Sequence, residues 1–316
     1  MHPTHPMHPT HPMHPTHPMH PTRPMHDAPS GRPASIATPS PGDPRIADLS
    51  LNQWTTRHWT MPEAIEGCAR AGIPAIGVWR EPLQAHGVAA TAKHVRDAGL
   101  RVSSLCRGGF FTAQEAAQRA DAMADNRRAI DEAAALGAPC LVLVVGGLPP
   151  ESRDLVAARR RVSAALAELV PYAAAAGVRL ALEPLHPMYC ADRAVLSTLA
   201  QALDMAESFP AAHVGVVIDA FHVWWDPELA AHVARAGARI ASFQVCDWLV
   251  PVPSDLLLAR GMMGDGVIDL RALRAAVMAA GYRGDTEVEI FNAALWATPG
   301  DDVVATVARR YVEHVV

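Results

Sequence analysis

Hydrophobic and polar positions follow two alternating patterns along this chain, beginning near residue 46. Short, continuous apolar runs such as CLVLVVG at residues 140–146 are typical of parallel strands that are buried on both faces. Runs of this kind predict eight strands, at residues 46–52, 75–79, 101–106, 140–146, 178–183, 214–219, 240–245 and 285–290.

Segments rich in Ala, Leu and Arg separate these runs and have the spacing of helices. They predict helices at residues 62–71, 86–98, 114–136, 151–176, 192–208, 228–236, 269–280 and 302–315. Eight strands that alternate with eight helices predict an α/β fold, the closed (β/α)8 TIM barrel. An open doubly wound sheet usually has a glycine-rich phosphate loop after its first strand, and the segment LNQWTTRHW has none.

The N-terminal segment differs from the rest of the chain in composition. Residues 1–24 repeat the unit MHPTHP three times and end in MHPTRP, and eight of the 16 histidines lie before residue 27. A proline at every third position removes backbone donors and fixes φ, which prevents helices and sheet ladders. We therefore predict a disordered His/Pro-rich tail at residues 1–44 and a single barrel domain at residues 45–316. We interpret the repeat as an expansion or a misassigned start rather than a metal-binding tract.

Several classes of protein are disfavoured by composition. No basic start with an apolar core precedes residue 45, and no run approaches the roughly 18 apolar residues of a membrane span. Five cysteines without paired spacing suit reduced thiols. A net charge of −5 without a basic run argues against nucleic acid as a partner. We expect a cytoplasmic protein that binds neither membranes nor nucleic acids.

Four predicted strands end in a polar side chain that can bind a metal ion. They are Glu183 in LALEPLH, Asp219 in VVIDAFH, Gln244 in SFQVCD and Glu289 in VEIF. A helix cap or a salt bridge would explain any one of them. Four strands that each end in such a residue instead favour a metal site at the carboxyl end of a barrel, where active sites lie. Ligands that are all oxygen favour Mg²⁺ or Mn²⁺, with Co²⁺ as an alternative.

These segments resemble the xylose isomerase-like TIM barrels, specifically the sugar phosphate isomerase/epimerase group. The resemblance covers residues 46–316 and rests on EP at Glu183–Pro184, DxxH at Asp219–His222, QVCD at Gln244–Asp247, GDG at Gly264–Gly266 and VEIF at Val288–Phe291. It implies a divalent metal, most often Mn²⁺, held by Glu183, Asp219, Gln244 and Glu289. Gln244 stands where the family commonly has histidine, so we expect a harder, more weakly held ion.

The resemblance also implies a reaction. Glu183 and Glu289 would be the catalytic acid/base pair, one removing a proton next to a metal-bound carbonyl and the other returning it through an enediolate. Return to the same carbon is epimerisation, and return to the neighbouring carbon is isomerisation. A lyase or dehydratase acting on a keto-sugar, keto-inositol or keto-glycoside is an alternative, and a non-catalytic sugar-binding barrel is another. An apurinic-site endonuclease is disfavoured, because it would need more histidine ligands at the strand ends and a basic groove for DNA.

Five further residues are predicted to contact a small sugar or sugar-derived substrate: His222, His186, Arg260, Trp79 and Arg107. An ordinary loop position is the alternative for each histidine, and a solvated arginine is the alternative for Arg260. Ketose epimerases of the family often carry a glutamate six residues after the first metal ligand, and this chain has Tyr189 there. Relatives often form dimers or tetramers, so we expect a homodimer or a homotetramer.

Overall fold

Eight parallel strands close into a barrel in the computed structural model, which describes residues 37–150 and 152–316. We number them in chain order as β1 Leu49–Asn52, β2 Ala75–Trp79, β3 Arg101–Gly109, β4 Cys140–Val144, β5 Arg179–Leu182, β6 Val214–Asp219, β7 Ile240–Val245 and β8 Thr286–Val288. Neighbours along the chain pair in parallel, and β1 pairs with β8 to close the ring. The predicted (β/α)8 TIM barrel is confirmed, and every predicted strand overlaps an observed one.

The chain enters the barrel through a short capped turn. The Asp43 side chain accepts a hydrogen bond from Arg45 N at 2.9 Å and caps the 3₁₀ helix Pro44–Ile46. Ile46 is 1% exposed and belongs to the hydrophobic core beside β1. Residues 1–36 of the predicted tail lie outside the described residues, so its disorder and its boundary stay predictions.

Helices connect the strands and pack around the barrel. The two longest, Ala116–Leu136 and Leu155–Ala175, follow β3 and β4 as predicted. The other α-helices are Met61–Ala71, Arg80–His86, Val88–Asp97, Leu199–Ala206, Ala220–Val223, Leu229–Ala236, Leu270–Ala279, Ala293–Trp296 and Gly300–His314. No helix among the described residues is both long and apolar enough to cross a bilayer.

One predicted helix is shorter than its composition indicates. The segment 192–208 is helical only from Leu199, because the Thr198 side chain accepts a hydrogen bond from Gln201 N at 3.2 Å and caps the helix there. The preceding residues form turns that lead from β5 back to the barrel. A local side-chain cap therefore overrides the helical tendency of an Ala- and Leu-rich segment.

The interior of the barrel contains polar side chains. They can be recognised because they form hydrogen bonds across the barrel, between strands that are not neighbours. Ser50 Oγ on β1 lies 2.7 Å from Ser103 Oγ on β3, and Ser103 donates to Glu287 Oε2 on β8 at 2.6 Å. Ser104 donates to the same oxygen at 2.8 Å. Glu287 is fully buried; burial raises its pKa, while hydrogen bonds from Ser103, Asn52 and Ser104 oppose the shift. The carboxyl group is therefore well satisfied inside the barrel.

Gly77 on β2 leaves the space that the Glu287 carboxyl group occupies. A Cβ atom at Gly77 would lie 2.5 Å from both the Cδ and the Oε1 atoms of Glu287. We expect Gly77→Ala to lower the free energy of unfolding by about 1–3 kcal/mol, because the substitution overpacks a buried polar cluster. Urea unfolding of both proteins measures the change. An unaltered unfolding midpoint for Gly77→Ala would contradict this packing.

Candidate active site

Three of the predicted site carboxyl groups meet at the carboxyl end of the barrel. Glu183 directly follows β5, Asp219 is the last residue of β6, and Glu289 directly follows β8. Their exposures are 6%, 1% and 4%, respectively. Glu183 N donates to Leu143 O at 3.1 Å and Glu289 N donates to Val245 O at 3.2 Å. The hydrogen bonding of the barrel therefore extends to these residues and fixes their backbone.

A cavity of about 410 Å³ opens beside these carboxyl groups. Glu183, Glu289, His222 and Arg260 line it, whereas Asp219 does not. Small-molecule sites have volumes of about 300–1,000 Å³, so the cavity suits a small ligand. The cavity lies where catalytic residues of TIM barrels are usually found.

Arg260 is the cation that joins the carboxyl groups. It is 4% exposed, and its Nη1 lies 2.8 Å from Asp219 Oδ2 and 3.0 Å from Glu289 Oε2. Nη1 also donates to the Glu289 carbonyl oxygen at 3.2 Å. Burial lowers the pKa of Arg260, but Asp219 and Glu289 more than reverse this shift, so the guanidinium stays charged. Sequence reasoning predicts a substrate contact for Arg260 but misses its contacts with two predicted metal ligands.

Burial makes the carboxyl groups of this site less acidic than they are in water. It raises the pKa of Glu183 well above the usual range, and nearby Glu289 and Asp219 raise it further. Burial also raises the pKa of Glu289 to about 8, although Arg260 opposes the shift. The pKa of Asp219 rises for the same reason, again against Arg260. Arg260 pairs with Asp219 and Glu289 only, and Glu183 has no ion pair within the described residues, so a further cation beside these carboxyl groups is favoured.

His222 lines the cavity, and each of its ring nitrogens has a hydrogen-bonding neighbour. Its Nδ1 accepts a hydrogen bond from the His186 backbone N–H at 3.2 Å. Burial, followed by the charge of Arg260, lowers the pKa of His222 well below its usual value, so the ring is neutral. Arg260 Nη2 can only donate, and its distance of 3.1 Å to His222 Nε2 makes that nitrogen an acceptor as well. A neutral imidazole accepts at one ring nitrogen at a time, so these two contacts of His222 alternate with the tautomer.

Gln244, the fourth predicted metal ligand, lies fully buried on β7. It is in register with Asp219 on β6, and its Nε2 donates to Glu287 Oε1 at 3.3 Å. Its amide oxygen has no hydrogen-bond donor among the described residues. An unpaired buried amide oxygen is costly, and a bound cation would satisfy it.

The donor set fits a divalent metal ion. Ligand atoms of Glu183, Asp219 and His222 lie within 4.8 Å of one another, and all three residues are buried. Asp219 Oδ2 forms an ion pair with Arg260 at 2.8 Å, whereas the amide oxygen of Gln244 accepts no hydrogen bond from the described residues. The Gln244 oxygen and the three buried carboxyl groups suit a cation that prefers oxygen ligands.

Asn52 is a site residue that sequence reasoning misses. It ends β1, and its Nδ2 donates to Glu289 Oε1 at 3.0 Å and to Glu287 Oε1 at 2.6 Å. Its Oδ1 accepts a hydrogen bond from Trp79 Nε1 at 2.9 Å. The sequence contains a usable signal, because Asn52 is a polar residue at a strand end. Glu287 precedes Glu289 by two positions, which is the spacing of side chains on one face of a strand.

Trp79 and Arg107, both predicted to contact substrate, line the cavity. Trp79 stacks on Trp54 with ring centroids 4.6 Å apart, and Trp54 also lines the cavity. The Arg107 guanidinium lies 5.7 Å from the Trp79 ring centroid. An aromatic face of this kind suits the C–H face of a sugar ring. Trp54 stands in the same LNQW segment as Asn52, a segment that sequence reasoning leaves without a role.

The His186 ring does not line the cavity. Its Nδ1 accepts a hydrogen bond from Met188 N at 3.2 Å and caps the turn Pro187–Tyr189, and the ring lies 5.0 Å from that of Trp248. Its backbone N–H donates to His222. The structure thus gives His186 a backbone contact with His222, while its ring lies outside the lining of the cavity.

Tyr189 connects the cavity to the long loop between β7 and β8. Its hydroxyl donates to Leu256 O at 2.8 Å, and Tyr189 lines the cavity together with Leu257 and Leu258 of that loop. The loop leaves and rejoins the barrel through a two-stranded antiparallel ribbon, which pairs Asp247–Trp248 with Arg260–Gly261. The ribbon carries Arg260 back to the carboxyl groups.

Comparison with known proteins assigns the chain to a family. The sequence profile of the xylose isomerase-like TIM barrel family matches residues 65–311. Among curated proteins, the 3-dehydroshikimate dehydratase of Pseudomonas aeruginosa is 26% identical over 269 residues. The matched region is 80% of this chain and 39% of the dehydratase, so the chain spans well under half of that relative.

Two solved structures have the same fold. Protein SMc04130 from Sinorhizobium meliloti is 51% identical, with a TM-score of 0.83 over 85% of this chain and 99% of that one. The IolI protein, solved with a bound zinc atom, is 21% identical, with a TM-score of 0.74 over 85% of this chain and 98% of that one. At this lower identity the likeness to IolI concerns the fold alone.

Proposed function

Since this chain belongs to the xylose isomerase-like TIM barrel family, we propose that it is a divalent-metal-dependent sugar isomerase or epimerase. The reaction would be proton transfer at a carbon next to a carbonyl group, through an enediolate. One observation carries the proposal: Glu183 and Glu289, two buried carboxyl groups from different strand ends, line the same small-molecule cavity. The substrate would be a small keto-sugar or a related compound.

Four oxygen donors would hold the metal ion: Glu183, Asp219, Gln244 and Glu289. This assignment is supported by the Gln244 amide oxygen, which accepts no hydrogen bond within the described residues, and by the ligand atoms of Glu183 and Asp219, which lie within 4.8 Å of each other. Oxygen ligands favour Mn²⁺ or Mg²⁺, with Co²⁺ as an alternative. When bound, a divalent ion supplies positive charge that acidifies the carbon–hydrogen bond next to the carbonyl.

The side chains at the cavity supply the acid and base steps. One of Glu183 and Glu289 removes the proton from carbon, and the other returns a proton to the same carbon or to its neighbour. Asn52 holds the Glu289 carboxyl group through its 3.0 Å hydrogen bond. The charged guanidinium of Arg260, which lines the cavity, would donate to the substrate oxygen that becomes negative, which lowers the barrier to proton removal.

A dehydratase is the second candidate. The dehydratase relative matches most of this chain, and elimination begins with the same removal of a proton next to a carbonyl. Expulsion of a β-hydroxyl group then replaces the return of the proton. Tyr189 in place of the glutamate of many ketose epimerases also weakens a direct transfer of their substrates.

Product analysis by NMR tests the proposal. Full-length protein loaded with Mn²⁺ would be incubated with ketoses, keto-inositols, keto-glycosides and hydroxylated keto acids. We expect a new stereoisomer or a carbonyl regioisomer from at least one compound, and we expect a chelator to abolish its formation. An unsaturated product would show that the protein is a dehydratase and would contradict the isomerase or epimerase. No product from any compound, with the metal bound, would contradict catalysis and favour a sugar-binding barrel.

A further inference from the structure

Glu287 lies in one layer of the barrel with two of the proposed metal ligands. In the parallel pairing of β8 with β7 it is in register with Gln244, and Gln244 is in register with Asp219 on β6. Side chains at paired positions of neighbouring strands point to the same face of the sheet. All three residues are at most 1% exposed, inside the barrel. Gln244 therefore stands between Glu287 on one side and Asp219 on the other.

The Gln244 amide has a donor side and an acceptor side, and the donor side meets Glu287. Gln244 Nε2 donates to Glu287 Oε1 at 3.3 Å, whereas Gln244 Oε1 accepts no hydrogen bond from the described residues. The reversed amide would bring two acceptor oxygens into contact, which is unfavourable. Nε2 thus faces Glu287, and the amide oxygen occupies the branch that points away from it.

Oε1 of Glu287 is an acceptor for a second amide as well. Asn52 Nδ2 donates to this oxygen at 2.6 Å. The Asn52 amide is itself fixed, because its Oδ1 accepts from Trp54 N at 3.0 Å and from Trp79 Nε1 at 2.9 Å. A proton on the carboxyl group would lie on Oε2, the oxygen that meets two serine hydroxyls. Oε1 therefore requires a donor from Gln244 whether or not Glu287 carries a proton.

We propose that Glu287 is a positioning residue, which turns the Gln244 amide so that its oxygen, and not its nitrogen, is presented to the metal ion. This inference rests on the proposed function, because it concerns how one ligand of the proposed ion is held. An amide oxygen binds a divalent cation, whereas an amide N–H₂ group is a donor only. Partners that orient a metal ligand typically change metal affinity about 10- to 100-fold.

A purely structural role for Glu287 predicts a different result. Its carboxyl group accepts from four side chains inside the barrel, so its removal lowers stability in either case. Only the positioning role makes the contribution of residue 287 to metal affinity depend on the amide of Gln244. The dissociation constant of Mn²⁺, measured without any substrate, therefore distinguishes the two roles.

Titration with Mn²⁺, followed by the EPR signal of the free ion, measures this dissociation constant for the full-length protein. Glu287→Met and Glu287→Gln remove the same negative charge, which makes them a matched pair. The glutamine oxygen can still accept from Asn52 and Gln244, whereas methionine offers no such acceptor. We expect Glu287→Met to bind Mn²⁺ at least about tenfold more weakly than Glu287→Gln.

Gln244→Met supplies the second arm of the experiment. It removes the amide, so residue 287 has nothing left to orient. In the Gln244→Met background we expect Glu287→Met and Glu287→Gln to have the same affinity for Mn²⁺, within about twofold. This convergence separates an effect through Gln244 from an effect through Asn52, because Asn52 is present in every variant.

A crystal structure of the wild type with Mn²⁺ needs no substitution, so it decides the question even if Glu287→Met does not fold. We expect Gln244 Oε1 to coordinate the ion while Nε2 still donates to Glu287. An ion bound without the Gln244 oxygen overturns the inference. A bound ion whose Gln244 ligand has lost its hydrogen bond to Glu287 also overturns it.

The inference and the proposed function fail separately. Equal affinities of Glu287→Met and Glu287→Gln, or a difference that persists in the Gln244→Met background, overturn the inference and leave the metal-dependent isomerase or epimerase in place. The expected affinities with no product in the NMR assay contradict only the isomerase or epimerase. A wild type that does not bind Mn²⁺ overturns both.

Discussion

Glu289→Gln is expected to lower kcat/KM about 10²- to 10⁴-fold, which is the usual contribution of a positioned general acid or base. Glutamine preserves the size of the side chain and can still accept from Asn52, but it cannot take up a proton from carbon. Glu183→Gln should have an effect of the same order. Steady-state kinetics with the substrate found in the product assay measures both effects. Metal analysis of each purified variant separates loss of the ion from loss of the acid or base.

Glu132→Gln is the control for these two variants. Glu132 is a largely buried carboxylate, with 12% of its side chain exposed, and it pairs with Arg80 rather than lining the cavity. We expect Glu132→Gln to retain the kcat/KM of the wild type. Full activity of Glu183→Gln or Glu289→Gln, with metal bound, would contradict the assignment of that residue.

Arg260→Met is expected to lower the free energy of unfolding of the metal-free protein by about 3–5 kcal/mol. Removal of one partner from a buried ion pair leaves an uncompensated charge, and here both Asp219 and Glu289 lose their cation. Mn²⁺ should restore part of this loss, because an ion that binds only the folded state stabilises it by mass action. Thermal unfolding with and without Mn²⁺ measures this stabilisation. The increase in Tm on addition of Mn²⁺ should be larger for the variant than for the wild type.

Arg80→Met is the matched control for this experiment. Arg80 also pairs with two carboxylates, and 11% of its side chain is exposed, but its partners lie outside the cavity. We expect Arg80→Met to lose stability without any additional response to Mn²⁺. Equal increases in Tm for the wild type and both variants would contradict the placement of the ion beside Asp219 and Glu289.

The strand-end residues could be predicted because a barrel imposes a simple rule on its sequence. Most strand residues are apolar until the strand leaves the core, so Glu183 and Asp219 stand out at the ends of apolar runs, and Glu289 follows Val288 at the end of β8. The structure brings all three to one end of the barrel. Gln244 follows the same rule, although its side chain faces Glu287 inside the barrel and does not line the cavity.

The remaining contacts of the site depend on features that local patterns do not encode. Arg260 reaches Asp219 because the ribbon after β7 folds back, and only the resemblance to a family singles it out in the sequence. His186 and His222 each lie three residues after a predicted metal ligand, Glu183 and Asp219, yet only His222 lines the cavity. Asn52 connects strands that are distant in sequence, since β1 lies beside β8 only after the ring closes.

Proton transfer at carbon is the central claim, and deuterium exchange tests it most directly. The Mn²⁺-loaded protein would be incubated in D₂O with the compound it converts, and NMR would locate carbon-bound deuterium in the recovered substrate and product. We predict deuterium at the carbon next to the carbonyl with the wild type and little or none with Glu183→Gln or Glu289→Gln. Product that forms without any deuterium from solvent, or exchange at the wild-type rate in both variants, would contradict proton transfer by this pair.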